Sequence, residues 1–401
     1  MSNQSEHRPF VLHTRVVTGV GGGPEKTILN SPRFLRDAGY DSVCAFMHPP
    51  NDPGWETLVS RAEQADAEVI SVRDGGPIDP RVLYRLVRIC RQRGVTIWHG
   101  HDYKSNALGL AVAKLHPMKL VTTVHGWVTN TRRSKLYYHI DRWSMRWYDR
   151  VLCVSPDLVQ QCLNAGLSEE RVQLVENGIL ADDYQRTQSR EDAKAEFGVP
   201  QNRILIGALG RLSPEKGFDL LIKAVSELIR EGRDVGLLIG GEGGEHETLT
   251  KQIQASGMAD RIQLVGHLVD PRQFYQALDV FALSSHREGL PNVVLEAMAN
   301  ELPIVATRIA GVPRAIDDNQ TGLLIEPGRW DALRDRLREM LVFPDRRTEF
   351  GIAARKTVIE RFGFARRMET IVDVYRDVLS VPEVQSTPEP TPEPLVAGPA
   401  R

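Results

Sequence analysis

Short runs rich in Val, Ile and Leu alternate along the chain with longer amphipathic stretches, and the runs are apolar at consecutive positions rather than at every second one. Strands buried on both faces by crossover helices have this signature, so the chain reads as α/β with parallel sheets. In the first half the pattern predicts strands at residues 10–16, 42–46, 96–99, 120–124, 151–154 and 172–175, and helices at 25–37, 81–93 and 134–147. The series then begins again, with strands at 204–209, 236–239, 262–265, 280–283, 304–306 and 323–325. Two doubly wound units therefore share one chain, and their similarity points to a coarse, long-period repetition.

A strand ending in the turn dipeptide Asn177-Gly178, followed by the polar stretch 182–190, places a boundary near residue 181. The predicted division is 1–181 and 182–362, then a helix within 363–380 that no strand follows. The last stretch, 381–401, is rich in Pro, Glu and Thr and is expected to be disordered, because it buries too little apolar area to offset its ordering entropy. A length of 401 residues fits two domains. With 50 Lys+Arg against 52 Asp+Glu, global charge does not point to nucleic acid, so any electrostatic partner is recognised locally. Cys44, Cys90, Cys153 and Cys162 show no C-x-x-C spacing and read as buried free thiols. Residues 1–8 lack the charged-then-apolar order of a signal peptide and no run of about 18 apolar residues occurs, which fits a cytoplasmic protein able to touch the inner face of a membrane.

Loops leaving the carboxyl ends of parallel strands enter helix N-termini, which carry free amide hydrogens and partial positive charge. One such loop is Gly210-Arg211-Leu212-Ser213-Pro214-Glu215-Lys216-Gly217. Arg211 can fork onto phosphate oxygens and Lys216 adds a point charge, a pairing suited to a departing diphosphate; a basic surface turn is the plainer alternative. A second loop runs from Glu288 through Gly289, Leu290, Pro291 and Asn292 to Glu296. Pro291 suits a first helical turn, which puts Glu288 in the loop and Glu296 on the helix behind it, two acceptors able to grip sugar hydroxyls. A helix cap and an ordinary surface charge would explain the same pair.

Together these motifs resemble the nucleotide-sugar-binding half of the family-4 retaining glycosyltransferases. The likeness extends over nearly the whole chain except the tail. It includes Gly21-Gly22-Gly23, His125-Gly126-Trp127, Val154-Ser155, Asn177-Gly178, Gly240-Gly241-Glu242-Gly243 and Ala297-Met298-Ala299. It implies the GT-B fold: two Rossmann-like domains facing across a cleft, the first for acceptor, the second for donor, with the last helix crossing back to the first. It implies that Gly210, Arg211 and Lys216 hold the diphosphate, Glu296 the ribose, and Glu288 the transferred sugar, with Gly289, Leu290, Pro291 and Asn292 beside the donor. Gly241 and Gly243 would let backbone approach the nucleoside, and Gly22 and Gly23 would open space for phosphate or acceptor. His125 would stand across the cleft near the sugar; without the resemblance it reads as a satisfied histidine at a strand end.

The implied activity is sugar transfer from a UDP-sugar or GDP-mannose to a saccharide, lipid-linked or small-molecule acceptor in polysaccharide or glycoconjugate biosynthesis. It would proceed with retention, without a resident cofactor and without metal, since no Asp-x-Asp stands at a suitable strand end. An epimerase or phosphorylase on the same scaffold, or a non-catalytic sugar-nucleotide-binding protein, are the rival readings. A dehydrogenase fits less well, because Gly21-Gly22-Gly23 lacks the G-x-G-x-x-G register. Two positions depart from the family pattern: Glu301 stands where Gly is common, with Asn300 available for the left-handed turn, and Arg314 stands where an acid is common. Finally, 132–150 is basic and carries Tyr137, Tyr138, Trp143 and Trp147, so it either lies on an anionic membrane or packs its aromatics inward.

Overall fold

The computed structural model describes residues 8–127 and 132–380, without the side chains of 132–135; the tail 381–401 lies outside the described residues. The first sheet holds β1 (Phe10–Val16), β2 (Asp41–His48), β3 (Val69–Arg73), β4 (Val95–Gly100), β5 (Lys119–Val124), β6 (Arg150–Cys153) and β7 (Val172–Leu174). The second holds β8 (Ile204–Leu209), β9 (Val235–Gly240), β10 (Ile262–Gly266), β11 (Val280–Leu283), β12 (Ile304–Thr307) and β13 (Gly322–Ile325). All pairings are parallel, in the orders β3-β2-β1-β4-β5-β6-β7 and β10-β9-β8-β11-β12-β13. The two sheets share one winding, with β7 added to the first. This is the GT-B architecture that the resemblance implies.

The apolar runs explain the strands directly: every residue of β9 is buried, between helices on both faces. β3 was not predicted. It is an edge strand in which only Val72 is fully buried, so the run lacks a continuous apolar signature. Helix ends are set by local chemistry, as in Pro80–Arg93, where Asp79 caps the first turn by accepting from the Arg81 amide and Gly94 closes the last at φ 61°.

The last helix, Phe364–Ser380, leaves the second unit through the pairing of Ile179 with Phe362 and Phe364. It buries Phe364, Met368, Ile371, Tyr375 and Val378 against Val11, Ile97, Val121 and Leu152 of the first sheet. Each fully buried side chain of that size contributes about 1.5–3 kcal/mol, so the helix ties the end of the chain to the first domain. The four cysteines are free and buried; Cys153 and Cys162 bring their sulfurs to 3.6 Å, beyond bonding distance.

Candidate functional site between the two sheets

In each sheet the winding reverses at one place, between β1 and β4 in the first and between β8 and β11 in the second. There the loops at the carboxyl ends diverge and open a crevice. The predicted site residues fall at these two places, on the helix after β11, and at the adjacent strand ends of β5 (His125) and β9 (Gly241 and Gly243).

At the second sheet, the chain leaves β8 through Gly210, turns at Pro214–Lys216, and enters the helix Phe218–Arg230 through Gly217 at φ 60°. A side chain at Gly217 would meet the carbonyl of Ser284 at 2.3 Å, so this turn is pressed against the end of β11. The Ser284 hydroxyl donates to the Lys216 carbonyl (2.9 Å), and the His286 amide donates to that of Glu215 (2.8 Å). The result holds Lys216 Nζ 2.5 Å from Glu288 Oε1, with both side chains mostly buried. The hydroxyl of Ser285 donates to the same carboxylate oxygen (2.7 Å). Lys216 and Glu288, predicted for different parts of a donor, are thus one ion pair. Arg211 is exposed, and among the described residues its side chain pairs with Glu215 (3.0 Å).

Gly241 and Gly243 lie against a neighbouring loop. A Cβ on Gly241 would lie 1.9 Å from the Gly210 carbonyl, and one on Gly243 would lie 2.2 Å from that of Leu212. The close approach they permit is to the neighbouring strand-end loop, which carries Arg211, rather than to open space.

Pro291 precedes the helix Asn292–Ala299 as its cap residue instead of lying in its first turn. Glu296 does not project freely: it is buried, accepts from the Tyr275 hydroxyl (2.8 Å), and pairs with Lys26 Nζ (2.9 Å) from the helix after β1. Lys26 also bonds the Tyr184 hydroxyl. Burial, and then the Glu296 charge, raise the Tyr275 phenol well above its usual range, so it remains a donor. A Cβ on Gly23 would come within 2.7 Å of Asn292 Nδ2, so the two helix N-termini nearly touch across the cleft. Gly22 has room around its Cα, but its amide is occupied, donating to Glu25 Oε2 (2.7 Å); Glu25 is in turn held by Arg15 (2.5 Å).

The first sheet's edge carries histidines. His125, at the end of β5, brings Nε2 to 3.2 Å from His101 Nδ1, and His101 Nε2 lies 3.1 Å from His13 Nδ1. His99 stacks on His101 at 4.4 Å and bonds the Tyr375 and Thr123 hydroxyls (2.5 and 2.8 Å). Burial holds the His13 imidazole at about 3. The other three rings are also pushed well below the usual histidine value, by burial first and then by neighbouring rings, Arg15 and Arg367. The rings are neutral at ordinary pH.

Sequence reasoning missed Lys26, Tyr184, Tyr275, His13, His99 and His101. One signal was present: His99 and His101 sit two residues apart at a strand end, the spacing that puts side chains on one face. The two family departures also resolve. Glu301 itself takes the left-handed turn (φ 57°) while Asn300 stays at φ −88°, contrary to the expectation for Asn300. Arg314 forks onto Glu176 of the first half (2.8 and 3.0 Å).

In the predicted membrane segment, the helix Arg132–Met145 and the turn after it divide their large side chains. Tyr137 stacks on Tyr103 (4.8 Å), whereas Leu136, Ile140, Trp143 and Trp147 are exposed. No described helix is long and apolar enough to cross a membrane.

Comparison with known proteins gives a consistent set. Residues 189–357 match the model of "Glycosyl transferases group 1" and residues 21–182 that of "Glycosyltransferase Family 4". The chain is 30% identical over 222 residues to the D-inositol 3-phosphate glycosyltransferase of Saccharomonospora viridis, a match spanning 53% of this chain and 51% of that one. It is 24% identical over 316 residues to the capsular polysaccharide biosynthesis glycosyltransferase CapM of Staphylococcus aureus, spanning 76% and 83%. Among solved structures, Anabaena Alr3699/HepE in complex with UDP-glucose superposes with TM-score 0.80 at 20% identity, covering 92% of this chain and 99% of that one. A glycosyltransferase from Rickettsia africae gives 0.77 at 23%, covering 93% and 99%.

Proposed function

The chain belongs to the group 1 and family-4 glycosyltransferases, and on that premise we propose that its cleft moves a sugar from a nucleoside diphosphate donor to a saccharide or lipid-linked acceptor, with retention and without a metal ion. The observation that carries this reading is the Lys216–Glu288 pair, held at the second sheet's reversal point. Lys216 and the exposed Arg211 take the diphosphate. Glu288 takes a hydroxyl of the transferred sugar, and Glu296, once Lys26 releases it, takes the ribose. The amides of Gly289, Leu290 and Asn292 add donors beside a helix N-terminus. Residues 182–362 form the donor domain and 1–181 the acceptor domain, with His125 reaching the sugar from the acceptor side.

In the reaction the bond from the anomeric carbon to the phosphate oxygen breaks while the acceptor oxygen bonds that carbon on the same face. The acceptor's proton passes to the leaving phosphate. Glu288 is tied to Lys216 and Ser285, which suits a hydrogen-bonding role better than that of a covalent nucleophile. Arg211 and Lys216 supply the positive charge that a divalent ion would otherwise bring to the leaving group. Among the described residues the group with metal-ligand spacing is His13, His99 and His101, which lies in the other sheet.

The donor is a UDP-sugar or GDP-mannose, and relatives named for capsular polysaccharide and lipopolysaccharide core biosynthesis support a polymer or glycoconjugate acceptor. Leu136, Ile140, Trp143 and Trp147 are exposed together with Arg146 in one segment, a set that suits docking on an anionic bilayer. Co-sedimentation with anionic vesicles should fall when Trp143 and Trp147 are changed to Ser; unchanged binding removes the membrane role.

The test of the donor site is a thermal-shift and hydrolysis screen of UDP-, GDP- and ADP-sugars in EDTA. One donor should stabilise the protein, and Arg211→Ala and Glu296→Ala should each abolish the shift. Binding that survives both substitutions refutes the site.

A further inference from the structure

The line of rings from His125 to His13 has chemical direction. Each neutral imidazole carries one N–H, so the two contacts in the chain must run the same way: either every ring donates toward His13, or every ring donates toward His125. The inner end decides between them. His13 Nε2 is buried and has no hydrogen-bond partner among the described residues. If the rings donated inward, that nitrogen would be an orphaned N–H; if outward, it is a bare lone pair. Orphaned buried donors are the rarer and costlier case.

Three neutral imidazoles are also a metal donor set. Here, however, both nitrogens of His99 are bonded to Tyr375 and Thr123, and the neighbouring fixed charges are the guanidiniums of Arg15 and Arg367. A dication among them would have no carboxylate within the group to balance it. The arrangement suits neutral, hydrogen-bonded rings.

We propose that His101, backed by His13, is a positioning residue: it donates to His125 Nε2 and so fixes His125 in the tautomer whose proton is on Nδ1, the nitrogen not used within the line of rings. His125 then meets the cleft as a neutral hydrogen-bond donor, able to give that hydrogen bond to a sugar hydroxyl without bringing a positive charge next to a developing oxocarbenium ion. In water neutral imidazole exchanges between both tautomers, so an unheld His125 would present the wrong one for part of the time. This role in transfer rests on the cleft reading proposed above; the tautomer itself does not.

The two are separable by experiment. Full-length protein labelled with 15N-histidine is examined by NMR, with His125 assigned by difference from His125→Gln. The expected spectrum has His125 protonated on Nδ1 and bare at Nε2. His101→Phe should lose that preference and lower kcat by roughly tenfold or more with little change in donor KM. His101→Gln, whose carboxamide can accept from His13 and donate to His125, should restore both. Thermal unfolding of each variant checks folding, and His13→Gln gives a second, milder test. A wild-type His125 protonated on Nε2 overturns the proposal, as does a tautomer that is unchanged in His101→Phe. Equal loss of kcat in the Phe and Gln variants, with both folded, also overturns it, because only a structural role would then remain. If the tautomer is as expected but His125→Gln turns over normally, the tautomer assignment stands and the cleft reading of His125 fails.

Discussion

The reversal point of the first sheet and the strand end beside it carry four neutral histidines, His13, His101 and His125 bonded in a line and His99 stacked on His101, with Arg15 and Arg367 as their charged neighbours. That of the second sheet is lined by full charges, Lys216 against Glu288 and Arg211 against Glu215, with Arg211 turned outward. The two places have the same topology yet opposite electrostatics. The difference teaches that the fold supplies only a crevice; what the crevice can stabilise depends on whether its side chains are held charged or held neutral. In the proposed reaction the charged edge meets the diphosphate and the neutral edge meets the sugar.

The comparison is broken most severely by discharging the second edge. Lys216→Ala should reduce transfer by roughly a hundredfold to a thousandfold, the usual cost of removing one preorganised group facing developing negative charge, measured as kcat with saturating donor. It also leaves Glu288 mostly buried without its cation, so the melting temperature should fall; a full-rate variant would remove Lys216 from the site.

Distorting that edge without discharging it comes next. Gly241→Ala places a methyl 1.9 Å from the Gly210 carbonyl at φ 133°, so it should cost about 2 kcal/mol or more in unfolding free energy and displace the Arg211 loop. Denaturant titration tests this. Gly244→Ala, where nothing lies within 4 Å, is the matched control and should be near neutral.

Acid probes the first edge. His13 has a folded value of about 3 against about 6.5 unfolded, so between those limits the unfolded chain binds the extra proton. The stability that His13 contributes is complete above about pH 6.5 and is lost as pH falls toward 3, at up to about 1.4 kcal/mol per pH unit. His99, His101 and His125 shift the same way and add to the slope. Unfolding between pH 7.5 and 5 should show the loss, and His13→Gln should make it shallower; an identical slope would mean that the ring is protonated in the folded protein.

The smallest effect lies outside both edges and calibrates the others. Glu301→Gly relieves a left-handed backbone and should stabilise the protein by about 0.5–1 kcal/mol without changing turnover.

Much of the fold was legible because its signals are local. β1, β8 and β11 begin and end where their apolar runs do, and Asp79-Pro80 with Gly94 marks both ends of one helix. β3 escaped because an edge strand needs only one buried face. The charged loop from Gly210 to Gly217 stood out as a motif, but its internal pairing did not: Lys216 and Glu288 are separated by 72 positions, and only the adjacency of β8 and β11 unites them.

By itself the sequence determined the alternation of buried strands and amphipathic helices, the repetition of that series, and the loops where chemistry-bearing residues stand, since hydrophobic period and turn chemistry act over a few residues. Only the tertiary structure decided that Lys26 would reach Glu296 across 270 positions, and that rings from β1, β4 and β5 would form one hydrogen-bonded line. Those contacts depend on strand order and on how two sheets face each other. Their energies come from groups that meet only after the core has formed.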